Sequence, residues 1–204
     1  MKNLILFFCF TYFISAFQTI NAQDSANNIN DLLELSIHEN AEVQLNNIDS
    51  IPDFQTKENK LKLTGTIYHA DGVTPAKDVV LYIYQPNEDG NYEMIEENDV
   101  RRVHHSASIK TDADGKYTFY TFIPGTVHRS GDLRHIHPVI KVLDAIEYDL
   151  NNFYFDNDPL LTKFRRKRLI KKGRGASILK LEKKEDFFVT NRDIILGQDM
   201  SSCK

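Results

Sequence analysis

The chain has 204 residues, 41% of them hydrophobic and 26% charged, with a formal net charge of -4. That length can bury a sizeable core in one domain, and the composition excludes a disordered or fibrous protein. The weakly acidic balance excludes a generally basic surface, so no nucleic-acid partner is expected.

The N-terminus reads as an export signal. Lys2 supplies a positive charge, residues 4–17 are an apolar run, and Ile20-Asn21-Ala22 ends in the small residue of a cleavage site. The run is short for a bilayer span, so no membrane span is expected. Residues 1–22 are read as the signal peptide, with a mature chain starting near Gln23 in the periplasm or secreted. Cys9 falls inside this segment behind the bulky Phe8, which does not suit a lipoprotein cleavage box. Cys203 is then the only cysteine of the mature chain, which leaves no intrachain disulfide. Residues 23–58 are polar and Asn-rich, with a short helix expected at 31–37, and are read as an N-terminal arm without core elements. The folded domain is assigned to residues 59–204.

From residue 61 onward the pattern is that of strands. Leu61, Leu63 and Ile67 alternate with Lys62, Thr64 and Thr66, the period of a half-buried strand. Residues 79–84 are apolar on both faces and predict a central strand, followed by the loop chemistry of residues 85–90. After a polar connection, residues 106–110 and 116–123 predict two strands joined as a hairpin by Thr111-Asp112-Ala113-Asp114-Gly115. The second strand carries Tyr117 and Phe119 on one face and Tyr120 and Phe122 on the other. Its aspartates do not continue into a calcium loop. A strand beginning at His135 follows, then strands at 152–155, 177–181 and 187–189. Between them, residues 163–174 hold eight lysines and arginines, read as a solvated helix or loop face with Phe164, Leu169 and Ile170 turned inward. Short strands, turn signals, nine tyrosines and thirteen phenylalanines predict an all-β fold, an antiparallel β-sandwich with short helical or loop additions.

His135 and His137 carry the strongest chemical signal. Side chains two apart on a strand share a face, so the two imidazoles project together, half of a site for zinc, copper or iron. An isolated pair of this kind is more often one surface histidine and one hydrogen-bonded core histidine, because a metal site is defined by ligand count and geometry.

Seven blocks run in order: Leu63-Thr64-Gly65-Thr66-Ile67, Val80-Leu81-Tyr82-Ile83-Tyr84-Gln85, Asp89-Gly90-Asn91-Tyr92, the segment 111–119, His135-Ile136-His137, Asn152-Phe153-Tyr154-Phe155 and Asp158-Pro159-Leu160. Taken together they resemble the intradiol ring-cleavage dioxygenases, the family of catechol 1,2- and protocatechuate 3,4-dioxygenase. The resemblance spans about residues 61–182. It implies the family's sandwich and a non-haem ferric ion, Fe(III), held by two tyrosinates and two histidines. Tyr92, His135 and His137 match three of these. It also implies oxygen-dependent ring opening of a catechol-like aromatic between its two hydroxyl-bearing carbons, so the implied partners are that substrate and O2. A homo-oligomer is left open.

The chain departs from the family pattern at two places. Val127 stands where the second tyrosine is expected, and Asp132 where an arginine is frequent; Arg134 lies nearby and Asn152 replaces a substrate-orienting glutamine. Valine can neither bind iron nor take a catechol proton. His128 is the nearest substitute donor, with His104 and His105 as others. Two functions therefore stay open: a ring-cleaving oxidoreductase with Tyr92, His135 and His137 as catalytic and metal residues and Asn152 and Arg134 on substrate, or a decayed sandwich serving as an exported binding or structural module.

Overall fold

The computed structural model describes residues 45–97, 100–141 and 148–198. The export segment, the helix expected at 31–37 and Cys203 lie outside the described residues. In chain order the strands are β1 (Ile48–Ser50), β2 (Lys60–Tyr68), β3 (Val80–Tyr84), β4 (Met94–Glu97), β5 (Val100–Val103), β6 (Ser106–Lys110), β7 (Lys116–Phe122), β8 (His135–Lys141), β9 (Tyr148–Asp149) and β10 (Phe153–Phe155). Helix α1 (Lys163–Lys171) follows, then β11 (Ile178–Leu179), β12 (Glu182–Lys184), β13 (Phe187–Asn191) and β14 (Ile194–Ile195).

Two sheets form a sandwich. One runs β1-β7-β2-β13-β12 with β14 also on β2; the other runs β11-β10-β8-β3-β6 with β9 also on β8. The alternation in β2 is realised, with Leu61, Leu63 and Ile67 fully buried. They meet Tyr117 and Phe119 of β7, and Leu81, Ile83, Ile109, Ile136 and Ile140 from the opposite sheet, in one core cluster. Gln85, at the end of β3 and completely buried, links the sheets: its Nε2 donates to the Phe122 carbonyl and its Oε1 accepts from Thr121.

The sheets are not purely antiparallel as expected. β1 with β7, β13 and β14 with β2, and β10 with β11 are parallel. The parallel partners enter from the segment before β2 and from the stretch after α1, long connections that allow such pairing.

The expected hairpin at 111–115 is a passage between sheets instead, because β6 pairs with β3 while β7 pairs with β2. Thr111 enforces the divergence. Its buried hydroxyl donates to the Ala76 carbonyl and accepts from the Val79 N–H, tying β6 to the start of β3. The carboxylate of Asp112 is consumed by the turn, accepting from the N–H groups of Asp114 and Lys116 and from Asn47.

Three local expectations also change. Within the arm, β1 adds to the sheet and Ile51 enters the core at 2% exposure; a three-residue strand leaves no period to detect. The polar connection contains the β4–β5 hairpin. Helix α1 exists but buries no residue, with Phe164 76% and Ile170 57% exposed. Basic residues at six of its nine positions leave that helix no continuous apolar stripe. On β7, Phe122 is as buried as Phe119 and belongs to the same core cluster, with the Lys57 ammonium 4.7 Å from its ring.

The burial of Ile51 yields a test. Ile51→Ala is expected to cost about 2–4 kcal/mol of stability, as for other buried large-to-small changes. Ile48→Ala, at a position 53% exposed, should stay within about 0.5 kcal/mol. Urea unfolding of both variants checks this; equal, negligible effects would return residues 48–51 to a loose arm.

Candidate metal and substrate site

The site grows from the two faces of β8. Ile136 and Ile140 point into the sandwich core, so His135, His137 and Val139 point away from it. β3 matches this pattern: Leu81 and Ile83 face the core and Tyr82 and Tyr84 the outer side. The register places Tyr84 opposite His137 and Tyr82 opposite Val139. Tyr154 of β10 stands opposite His135. A second apolar cluster of Tyr82, Tyr84, Val103 and Val139, joined by Tyr92 and Met94, covers this outer face.

Pro138 sits inside β8 without breaking it. Its carbonyl accepts from the Leu150 N–H at 3.0 Å, on the side where β9 ends before β10 begins. The N–H and C=O of one strand residue point the same way, so the missing donor falls at that gap.

His135 and His137 present their Nε2 atoms to each other at 2.7 Å, with ring centroids 4.4 Å apart and planes at 80°. The Nδ1–H of His135 donates to the Leu133 carbonyl at 2.6 Å, which leaves its Nε2 as the lone-pair nitrogen. His137 stacks on Tyr84 at 4.6 Å and 8° and is hydrogen-bonded by the Asn152 side chain. Two nitrogens this close need a proton or a cation between them. Burial strongly disfavours imidazolium here: His137 is held down to about 3 by desolvation first and by His135 next, and His135 is lowered mainly by desolvation.

Tyr92 arrives from the loop after β3. Asn87 organises that loop, its side-chain oxygen accepting from the N–H groups of Asp89 and Asn91. The loop packs on the segment 124–127 through two glycines. A Cβ on Gly125 would stand 1.8 Å from the Glu88 carbonyl oxygen, and one on Gly90 (φ 88°) 2.2 Å from the Val127 nitrogen. The Tyr92 ring lies 6.0 Å from His137 and 6.2 Å from Tyr84. Burial raises its phenol above the ordinary range, and the Asp132 carboxylate adds to the rise.

The remaining candidates separate into groups. Val127 is 49% exposed and His128 is exposed beside it. Arg134 is anchored through its N–H to the Asp158 carboxylate. Asn152 and His135 line a cleft of about 400 Å³ together with Asp132, Tyr154 and, from the basic stretch, Arg165, Arg168, Lys172 and Arg174; Arg134 is not among its walls. Arg165 fixes the helix to this edge by donating to the Gly131 carbonyl at 2.7 Å. Among the described residues, the one group of three or more His, Cys, Asp or Glu side chains close enough to share a metal ion is Asp53, His104 and His105. His104 and His105 thus meet Asp53 rather than the pair on β8.

Sequence reasoning missed Tyr84 and Tyr154 as walls of the site and the cationic side of α1. The period-two placement of Tyr82 and Tyr84 was the available signal for the first. The cationic side of α1 had none, since it depends on where the helix docks.

Solved structures share this architecture. The dioxygenase domain of a dioxygenase–carbohydrate-binding fusion from Streptomyces sp. SirexAA-E matches with a TM-score of 0.56 and 20% identity, over 72% of this chain and 85% of that one. An intradiol ring-cleavage dioxygenase from Tetranychus urticae matches with a TM-score of 0.56 and 18% identity, over 75% and 88%. For 3-chlorocatechol 1,2-dioxygenase from Rhodococcus opacus the values are 0.53 and 18%, over 72% and 63%. The chain has the fold of the intradiol ring-cleavage dioxygenases. No family model and no curated protein sequence matches it.

The lowered histidines give a pH prediction for metal-free protein. The unfolded chain takes up protons on these side chains near pH 6.5, while folded His137 does so only near 3. Stability from this source is fully present above about 6.5 and is lost as pH falls toward 3. Thermal melts across that window should show the decline, and His137→Gln should flatten it; an unchanged slope would contradict the burial argument.

Proposed function

We propose that the chain is an exported non-haem iron protein of the intradiol dioxygenase kind, acting on a catechol-type aromatic with O2. The observation that carries this reading is the convergence of the His135 and His137 Nε2 atoms at 2.7 Å beside Tyr92, within a fold shared with such enzymes. The donor set fits a ferric ion. Two neutral imidazoles are already oriented, and Tyr92 stays a phenol in its buried setting until a strong cation makes the phenolate favourable. Bound there, iron would supply the Lewis acidity that takes up a catecholate and directs oxygen to the ring.

The protein's own groups hold and orient. The Leu133 carbonyl and the Asn152 amide set the two histidine rings, and the stack on Tyr84 keeps His137 from turning. Asn152 also lines the cleft and can orient a substrate hydroxyl. Arg165, Arg168, Lys172 and Arg174 draw in an anion, so catechols with an acidic substituent suit the cleft. Lys2, the apolar run 4–17 and Ala22 support export.

A second reading, a binding module without turnover, is favoured by one observation: no proton acceptor of the tyrosine kind stands at Val127. General-base help is worth about 10²–10⁴ in rate, so wild-type turnover of simple catechols should be poor by that factor. Val127→Tyr places a phenol beside the Gly90 backbone, two residues before Tyr92, and should raise ring cleavage. Muconate-type product from wild type and variant at matched iron content measures it. An iron-loaded Val127→Tyr variant with no product would favour the module.

Iron binding itself is read separately. Ferric protein should show a tyrosinate charge-transfer band that Tyr92→Phe removes. Protein that remains colourless after reconstitution would remove the iron reading altogether.

A further inference from the structure

The cluster of Asp53, His104 and His105 belongs to no part of the site above. One ligand atom from each lies within 4.8 Å of the others. Consecutive strand residues point to opposite faces, but His104 and His105 occupy the bend between β5 and β6. Both rings therefore turn to one side, with centroids 4.8 Å apart at 61°. The bend is fixed by its backbone: the His104 N–H donates to the Glu93 carbonyl, the Ser106 N–H to the His104 carbonyl and the Gln85 N–H to the His105 carbonyl. His105 is 1% exposed and stands edge-on to Phe122 at 5.1 Å.

Asp53 approaches from the segment before β2. It holds a left-handed conformation (φ 62°, ψ 12°) at the head of the single helical turn Phe54–Thr56. A carboxylate in that place ordinarily caps its own turn. Asp53 makes no such bond, and its Oδ2 reaches His104 Nε2 at 2.9 Å instead.

Two further observations mark the cluster as more than an ion pair. The Nδ1 atoms of His104 and His105 are both buried without a hydrogen-bond partner, and buried His105 offers one of its ring nitrogens to the group. The surroundings are also anionic. Asp53, Glu88 and Glu93 face one ammonium, Lys57, which is itself paired with Glu88 at 3.1 Å; three negative charges against one positive leave two in excess.

We infer that Asp53, His104 and His105 bind one divalent transition-metal ion of the zinc class. Two imidazoles and one carboxylate are the donors such ions prefer, whereas calcium and magnesium take oxygen shells. Asp53 alone comes from the N-terminal segment, so the ion would clip residues 45–57 to the β5–β6 bend.

The test uses the full chain, stripped with a chelator and titrated with Co(II) as a visible probe and Zn(II) as a stabiliser. One equivalent of Co(II) should develop d–d absorption, and Zn(II) should raise the melting temperature. Asp53→Asn and His104→Gln should weaken Co(II) binding by roughly tenfold or more, since even outer-shell partners of a metal cost that much. The Asp53 side chain is 58% exposed, so Asp53→Asn keeps the fold even where His105→Ala does not. His137→Ala, run in parallel, should leave this signal in place, which separates the cluster from the pair on β8. Unchanged binding in Asp53→Asn and His104→Gln, or loss of the signal in His137→Ala, would overturn the assignment. The tyrosinate band assigned to Tyr92 is read separately, on ferric protein, so the two assignments can fail independently.

Discussion

The candidate iron site depends on β8 serving two surfaces at once. Its even-numbered side chains, Ile136 and Ile140, complete the sandwich core, and its odd-numbered ones, His135, His137 and Val139, form the floor of the outer site. A slip of one residue in the pairing with β3 would bury two imidazoles and expose two isoleucines. The full burial of Ile136 and Ile140 therefore fixes the register that aims the histidines. Core stability and site geometry are one constraint seen from opposite faces.

The rest of the site is brought to that floor by contacts that admit no side chain. Gly90 and Gly125 let the Tyr92 loop and the segment 124–127 press backbone to backbone. The tyrosine is thereby carried to His137 by a loop that has little core of its own. This is why a loop residue can sit beside a strand residue in a fixed relation. The outer cluster of Tyr82, Tyr84, Val103 and Met94 then seals the patch, and that sealing is the source of the lowered imidazoles and the raised phenol.

The sequence made legible whatever is periodic or local. The strand around Leu61, Leu63 and Ile67 and the shared face of His135 and His137 follow from alternation, and the strand of Leu81 and Ile83 from its continuous apolar run. Tyr92 entered only through resemblance, because nothing local distinguishes it from a turn-flanking aromatic. β1 is too short to show a period. The passage at residues 111–115 has the chemistry of a hairpin, and only the buried hydroxyl of Thr111 sends its strands to different sheets. Asp53 meets His104 across 51 residues of sequence, a distance no pattern bridges. The adjacent histidines at 104 and 105 were visible, but not the bend that aligns them.

Charge at the β8 site is rearranged relative to the pattern the resemblance implies. That pattern places an anionic oxygen donor at 127 and a cation at 132; this chain has a valine and a carboxylate there. Asp132 lies close enough to Tyr92 and His135 to influence both, so negative charge is still present near the histidines. Positive charge has moved as well, onto α1, where Arg165, Arg168, Lys172 and Arg174 line the cleft. On the proposed reading, Asp132 offsets part of the ferric charge at a distance, while the helix meets the anionic end of the substrate. A carboxylate at a distance balances charge without accepting a proton at the reacting oxygen. On that reading the arrangement preserves the electrostatics of binding better than those of turnover, so that iron binding and ring cleavage would be separable in this chain.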